Sequence, residues 1–320
     1  MNEILQVKNL KKYFPAAGGT LHAVDDVTLS INYGETMGVV GESGCGKSTL
    51  GKTILRLIQP TAGEILFEGQ DITFIDQKKF KALRPKMQMI FQDPMSSLNP
   101  RMSVSQQIAE PLCIFKVFDS REALYNRVLE LMDTVGLARR YFDTYPHELD
   151  GGRRQRIGIA RALALNPKLI ICDEPVSALD VLIQAQILNL LQDLQKEHGL
   201  SYMFITHNLS VVKHISNTIC VMYLGQIVEL CNTKELFGKT LHPYTQALLS
   251  AIPIPSLKNR REKMLLKGEL SSPVNPKDAC RFAPRCPYAK EACHNSSPEL
   301  VDVGGSHKVA CHFVKEINGI

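Results

Sequence analysis

Eight consecutive residues, Gly41-Glu42-Ser43-Gly44-Cys45-Gly46-Lys47-Ser48, constrain this chain more than any other stretch, because they fit the pattern G-x-x-x-x-G-K-[ST]. They follow Glu35 to Val40, a short apolar run of the kind expected for a buried strand, and open Lys47 to Leu57, which reads as a helix. In that setting the glycines let backbone N–H groups turn inward around a phosphate, and the helix adds its positive N-terminus. Lys47 is placed to reach the β and γ phosphates of a nucleoside triphosphate, and the Ser48 hydroxyl to bind Mg²⁺. The alternative is a tight strand–helix turn without a ligand.

The rest of the chain supplies what such a loop needs around it. Its 320 residues suggest about two domains. A hydrophobic content of 44% and a charged content of 22% are those of a globular chain and exclude disorder and collagen-like repeats. The formal net charge of +5 is too weak to argue for nucleic acid. Apolar runs such as Leu169-Ile170-Ile171-Cys172 stop well short of the roughly 18 residues of a spanning helix. Met1 to Phe14 lacks the apolar centre of a signal peptide. Strands are expected at Glu3 to Leu10, Leu21 to Ile31, Glu64 to Phe67, Met87 to Phe91, Leu169 to Cys172 and Ser201 to Ile205. Two more turn at Gly225 within Thr218 to Val228. Helices are expected at Arg153 to Leu165, Val181 to Glu197 and Leu209 to Ile215. This alternation predicts an α/β fold with a largely parallel sheet, interrupted by a helical insertion at about 94–152 whose best periodic stretches are Val104 to Leu112 and Arg121 to Val135. Beyond Pro243 the chain turns proline-rich, with Pro253, Pro255, Pro273, Pro276, Pro284, Pro287 and Pro298.

A second set of residues complements the loop. Leu169 to Cys172 ends in Asp173-Glu174-Pro175. Ligands of parallel sheets bind at the carboxyl ends of strands. Asp173 suits a metal held through water there, and Glu174 suits the attacking water beside it. The competing reading has Asp173 merely cap the next helix.

With these motifs in place the sequence resembles the ATP-binding subunits of ABC transporters. Within them it resembles the second of the two ATPase subunits of oligopeptide and dipeptide importers. The resemblance rests on Gly41 to Ser48, Phe91-Gln92-Asp93-Pro94, Pro146 to Gly152, Asp173 to Asp180 and Thr206-His207. It rests further on Ser96-Ser97-Leu98-Asn99-Pro100-Arg101, His242-Pro243-Tyr244-Thr245 and the terminal cysteines. It implies a P-loop NTPase core of the RecA-like kind with a β subdomain, an inserted helical subdomain and a Cys-rich C-terminal extension. The nucleotide-binding domain would span 1–240 and the extension 241–320. ATP would be held by Gly41, Ser43, Gly44, Cys45, Gly46, Lys47, Ser48 and Thr49, and Mg²⁺ by Ser48, Gln92 and Asp173. Glu174, His207 and Gln92 would be catalytic, with His207 on the γ-phosphate and Gln92 joining the core to the helical insertion. Phe14 falls where an aromatic stacks on adenine, with Tyr13 beside it, although an ordinary strand-end aromatic reads the same. Asp180 suits the loop that crosses to a partner ATPase and equally a cap for the helix after it.

One motif departs from the family. Where the signature loop that covers the partner's γ-phosphate is Leu-Ser-Gly-Gly-Gln, this chain has Leu149-Asp150-Gly151-Gly152-Arg153. Asp and Ser both cap helix starts well, so the helix should survive. A carboxylate about 4 Å from a phosphate charge nevertheless costs on the order of 4 kcal/mol per charge pair at an effective dielectric near 20. Arg153 offsets part of this, and an Asp that simply caps its helix is the alternative. The departure predicts two unequal ATP sites in a heterodimer with a second, related ATPase.

Cys280, Cys286, Cys293 and Cys311 crowd the last part of the chain, where a sparse apolar pattern calls for a staple. Four thiolates suit an iron–sulfur cluster or zinc. The spacing lacks paired C-x-x-C, and the resemblance implies [4Fe–4S]; zinc, or thiols that stay free or form disulfides, are the alternatives. The resemblance also implies two transmembrane permeases, an extracytoplasmic substrate-binding protein and a peripheral place on the cytoplasmic face of the membrane. Cargo, whether dipeptide, longer peptide or metal chelate, would be chosen by the permeases and the binding protein. A non-transport ABC ATPase acting on ribosomes or DNA would carry two cassettes or a long coiled-coil insertion. A nucleotide-binding regulator without turnover would have no use for Glu174.

Overall fold

A computed structural model describes residues 2–251, 264, 266, 268 and 272–320. Met1, Pro253 and Pro255 lie outside the described residues. Along the chain, β1 (Glu3–Ala16) and β2 (Gly19–Asn32) form a long antiparallel hairpin. β1 runs past Leu10, where the sequence ended it, because pairing continues through Phe14↔Leu21 to Ala16↔Gly19. β3 (Thr36–Val40) is buried at every residue and leads through the glycine loop into α1 (Lys47–Ile54). That helix stops short of the expected Leu57, with Arg56 in a left-handed conformation (φ 50°) just beyond it. β4 (Ala62–Phe67) and β5 (Gln70–Asp71) complete a sheet in the order β2-β1-β4-β5.

Next come α2 (Gln77–Leu83), β6 (Met87–Ile90) and α3 (Pro94–Ser97), then α4 (Val104–Ile114) and α5 (Arg121–Thr134). They are followed by α6 (Gly151–Leu163), β7 (Leu169–Asp173), α7 (Val181–His198) and β8 (Ser201–Thr206). The remainder is α8 (Leu209–Ile215), β9 (Thr218–Tyr223), β10 (Gln226–Asn232), α9 (Thr233–Gly238) and α10 (Pro243–Ser250). Short elements close it: α11 (Glu291–Asn295), β11 (Val301–Asp302), β12 (Lys308–Val309) and α12 (Val314–Asn318).

The chain forms two compact units, Met1–Phe74 with Phe204–Ile320, and Ile75–Met203. In the first, β3 pairs in parallel with β9, and strands follow in the order β3-β9-β10-β12-β11. Thr36-Met37-Gly38-Val39-Val40 shows no polar–apolar alternation because a parallel strand is covered on both faces. In the second unit β6 and β7 pair in parallel, and Leu169-Ile170-Ile171-Cys172-Asp173 is likewise buried throughout. Helix α6 turns Ile157, Ala160 and Leu163 inward, and α7 does so with Ile187, Leu191 and Leu194. Both units therefore end an apolar strand at a polar loop, and those loops carry the residues singled out above.

Candidate active site

In the first unit, β3 delivers the chain to Gly41, and the loop closes tightly over its own backbone. A Cβ on Gly46 (φ 101°) would stand 2.0 Å from the Ala23 carbonyl oxygen, and one on Gly41 would stand 2.2 Å from that of Met222. No side chain fits at either position. Lys47, 5% exposed, donates from Nζ to the carbonyl oxygens of Gly41 (2.8 Å) and Glu42 (2.9 Å) and lies 3.7 Å from Cys45 Sγ. The ammonium is thus held within the loop. Ser43 and Gly44 are exposed at the rim, Cys45 is buried, and Ser48 and Thr49 are half-buried in the first turn of α1. Burial raises the Cys45 thiol above its ordinary range, so it stays a thiol.

On the hairpin of the same unit, the Tyr13 ring stacks on His22 with centroids 3.9 Å apart, and its hydroxyl donates to Asp25. Phe14 carries the Lys12 ammonium 4.6 Å from its ring centroid. His207 follows β8 and is exposed, ahead of Asn208, which caps α8 by accepting from Ser210 N–H.

In the second unit, β7 ends in Asp173 (2% exposed) and Glu174 (8%). Glu174 takes a left-handed backbone conformation (φ 47°), at a cost of about 1–2 kcal/mol for a residue with a Cβ. Strain of this kind gathers at functional positions. Gln92 Nε2 donates to Glu174 Oε2 at 3.1 Å. The Ser177 hydroxyl donates to the Glu174 carbonyl at 3.1 Å, fixing the turn beyond the strand. Gln92 and Glu174 are therefore joined by a hydrogen bond, with Asp173 the last residue of β7 immediately before Glu174.

The Leu149–Arg153 stretch forms the start of α6. Asp150 is its N-cap: Oδ1 accepts the Arg153 backbone N–H at 2.8 Å, while the other carboxylate oxygen pairs with the Arg153 guanidinium. That guanidinium also lies over the Tyr141 ring, 5.0 Å from its centroid. Asp180 likewise caps α7, accepting from Ile183 N–H at 3.0 Å.

The terminal cysteines share one neighbourhood. Cys280 N–H donates to the Cys293 carbonyl at 2.9 Å. Burial pushes the Cys280 thiol up to about 11, with Cys293 and Cys286 adding to the rise. Cys286 and Cys311 are raised in the same way, first by burial and then by neighbouring thiols. Yet among the described residues no three His, Cys, Asp or Glu side chains form a group that could hold a metal ion. Nearby in the chain, His307 places Nε2 2.8 Å from the buried Glu229 carboxylate.

Three features escaped the sequence: Glu229, which accepts from Leu241 N–H and His242 N–H besides facing His307, and the ion pairs Arg285–Glu42 and Arg281–Asp25. Each joins residues far apart in the chain, and no local pattern announces such partners.

A glycine loop closed around a buried ammonium, at the end of a parallel strand and the start of a helix, defines a P-loop nucleotide-binding protein. Comparison with known proteins narrows this. Residues 24–177 match the ABC transporter family, and residues 228–293 match the oligopeptide/dipeptide transporter C-terminal region. The chain is 52% identical to the oligopeptide transport ATP-binding protein AppF of Bacillus subtilis, over 97% of each chain. It is 51% identical to OppF of Escherichia coli, covering 96% of this chain and 92% of that one. Among solved structures it is similar to the ATP-binding cassette MJ0796 in a dimeric post-hydrolysis state with ADP and Pi. There the TM-score is 0.66 and the identity 31%, over 72% of this chain and 98% of that one. The chain belongs to the ABC transporter ATPases, among the oligopeptide transport ATP-binding proteins, and has their P-loop α/β fold.

Proposed function

We propose that the chain binds and hydrolyses ATP to energise import of peptides through membrane permeases, with cargo delivered by a substrate-binding protein. The observation that carries this reading is the Glu174 carboxylate just beyond β7, set on a left-handed backbone and held by the Gln92 amide. Gly41, Ser43, Gly44, Cys45, Gly46, Lys47, Ser48 and Thr49 cradle the triphosphate, and Phe14 takes the adenine. Ser48, Asp173 and Gln92 offer the oxygen donors that Mg²⁺ prefers; when bound, the ion neutralises charge on the phosphate oxygens. Glu174 orients a water whose oxygen bonds to the γ-phosphorus as the bond to the β-phosphate oxygen breaks, and His207 contacts the γ-phosphate. Replacing Glu174 by Gln keeps the shape but removes the carboxylate. The Glu174→Gln complex should lose most ATP turnover while still binding nucleotide, and normal turnover in that complex would refute the reading.

The finer reading is a heterodimer with a second, related ATPase, on the cytoplasmic face of the membrane. This chain's own phosphate loop, Glu174 and His207 serve one competent site against an ordinary signature loop, with Asp180 crossing to the partner. The reciprocal site, covered by Asp150, Gly151, Gly152 and Arg153, is the weaker. What supports it is the negative Asp150 cap at a helix start that would face phosphate. Among the described residues no helix is long and apolar enough to cross a membrane; the reading places attachment at the permeases.

The Cys-rich extension has the donor chemistry of a [4Fe–4S] site, with zinc as the alternative. Among the described residues no group of three or more such side chains makes a ligand shell, and no step of ATP turnover is routed through a cluster. Absorbance near 400 nm in anaerobically purified protein, with iron and labile sulfide, tests for one.

A further inference from the structure

We infer that Arg285 and Arg281, in the Cys-rich extension, are positioning residues that hold the phosphate loop in its nucleotide-accepting shape. The inference rests on the reading of Gly41–Ser48 as the ATP cradle and assigns that cradle a part from the far end of the chain.

Glu42 is gripped twice. Its backbone N–H donates to the Tyr244 hydroxyl at 2.9 Å, and its carboxylate accepts from both terminal nitrogens of Arg285, at 2.7 and 3.2 Å. Two parallel bonds from one guanidinium fix direction as well as charge. The Arg285 side chain is 11% exposed. Behind it Tyr223, Tyr244 and Phe282 pack edge to face, with centroids 4.7 to 5.5 Å apart, leaving little room for the hydroxyl of Tyr244 or the guanidinium to wander.

The loop is held again at Cys45, whose carbonyl accepts from Gly225 N–H at 2.9 Å. Arg281 secures that turn by donating to the Leu224 carbonyl while pairing with Asp25. Asp25 N–H in turn donates to the Gly225 carbonyl at 2.8 Å. Burial alone would raise the Asp25 carboxyl, but Tyr13, His22 and Arg281 bring it below its ordinary value. The segment before Arg281 also reaches the hairpin. Asn275 accepts from Thr20 N–H at 2.8 Å and donates to the Gly18 carbonyl at 3.0 Å, and His22 N–H donates to the Pro273 carbonyl at 2.9 Å.

Electrostatics gives Arg285 its purpose. Glu42 places a carboxylate in the very loop that must receive a triphosphate, where like charges repel. Arg285 neutralises that carboxylate and turns it onto the extension, leaving the interior of the loop to Lys47. With Arg285 gone, the carboxylate is released toward the incoming phosphates. With both gone, the repulsion disappears as well.

The test uses the full-length chain, a fluorescent ATP analogue with magnesium, and competition by ATP. Arg285→Gln should weaken binding about tenfold, the scale of one charged hydrogen-bonded pair. Glu42→Gln should weaken it less, and the double variant should return to the level of Glu42→Gln. In the complete transporter, Arg285→Gln should raise KM for ATP while kcat stays within about twofold; a loss of folded protein would instead lower kcat at constant KM. Arg285→Lys, which keeps the charge but not the fork, should fall between. If Arg285→Gln does not fold, Tyr244→Phe removes only the other grip on Glu42 and should weaken binding by itself. Wild-type affinity in folded Arg285→Gln, wild-type affinity in Tyr244→Phe where that variant stands in, or a double variant as weak as Arg285→Gln overturns the inference. Failure of the unsubstituted chain to bind magnesium–ATP would instead sink the ATP-site reading beneath it.

Discussion

Two helix starts, one in each unit, use the same physics in opposite ways. At α1 the N-cap is Gly46, which has no side chain with which to cap the first turn, and the adjoining charge is the Lys47 ammonium. At α6 the N-cap is Asp150, whose carboxylate takes the Arg153 N–H and the Arg153 guanidinium together. A helix N-terminus attracts anions. The first start keeps that attraction for a ligand. The second spends much of it on its own side chain. Helix formation alone does not distinguish the two, since both helices form; what differs is the positive potential left at the end.

The comparison breaks most visibly if α1 is given a side chain at its cap. Gly46→Ala places a Cβ against the Ala23 carbonyl oxygen at 2.0 Å, at a φ of 101° that alanine avoids. The loop must shift, and its N–H groups with it. Binding of magnesium–ATP should fall at least about a hundredfold, against a backbone strain of about 1–3 kcal/mol in the unliganded fold. Equilibrium binding together with a denaturation curve separates the two effects. Near-normal affinity would show that the loop's geometry is not what holds the nucleotide.

A third helix start sharpens the contrast because its cap titrates. His242 caps α10, its Nδ1 accepting the Tyr244 N–H at 3.1 Å, and burial pushes its pKa down to about 4 despite the nearby Glu229 charge. In the unfolded chain the ring titrates near about 6.5. Between those values the unfolded chain binds the extra proton, so stability is complete above about pH 6.5 and declines as pH falls toward 4. The loss amounts to roughly 3 kcal/mol by linkage. Chemical denaturation at about pH 7.5 and 4.5 checks the sign. His242→Asn keeps a good cap but does not titrate, and should flatten that part of the profile; an unchanged profile would remove His242 as its source.

The sequence was most legible where chemistry is local. The glycine loop, the Asp173-Glu174 pair after an apolar strand, and the helix at Leu209–Ile215 follow from spacings of a few residues. The α/β architecture follows from the alternation of such segments. What could not be read is whatever joins distant residues: Arg285 with Glu42 across 243 positions, Arg281 with Asp25 across 256, His307 with Glu229 across 78. Each partner alone looks like an ordinary surface charge. β1 was ended at Leu10 for a related reason, since its continuation depends on pairing with β2 through Phe14↔Leu21 to Ala16↔Gly19. The cysteines were legible as a cluster by number and spacing, but their distances depend on the fold of a segment with little apolar periodicity.

The smallest effect expected is also the one that tests the second helix start directly. The Asp150 and Arg153 side chains are both substantially exposed, so their ion pair contributes only about 0–1 kcal/mol. Asp150→Ser keeps a capping oxygen and removes the charge, and should change stability by no more than about 0.5 kcal/mol. Asp150→Ala removes the cap as well and should cost about 1 kcal/mol. If the carboxylate weakens the site that α6 covers, the Ser variant should turn over ATP in the complete transporter at least as fast as the unsubstituted chain, and the Ala variant should do so too once its lower stability is allowed for. Slower turnover in Asp150→Ser with unchanged stability would mean that the Asp150–Arg153 pair has itself become part of how this loop meets phosphate, and the asymmetry between the two helix starts would then be one of means, with both built to receive an anion.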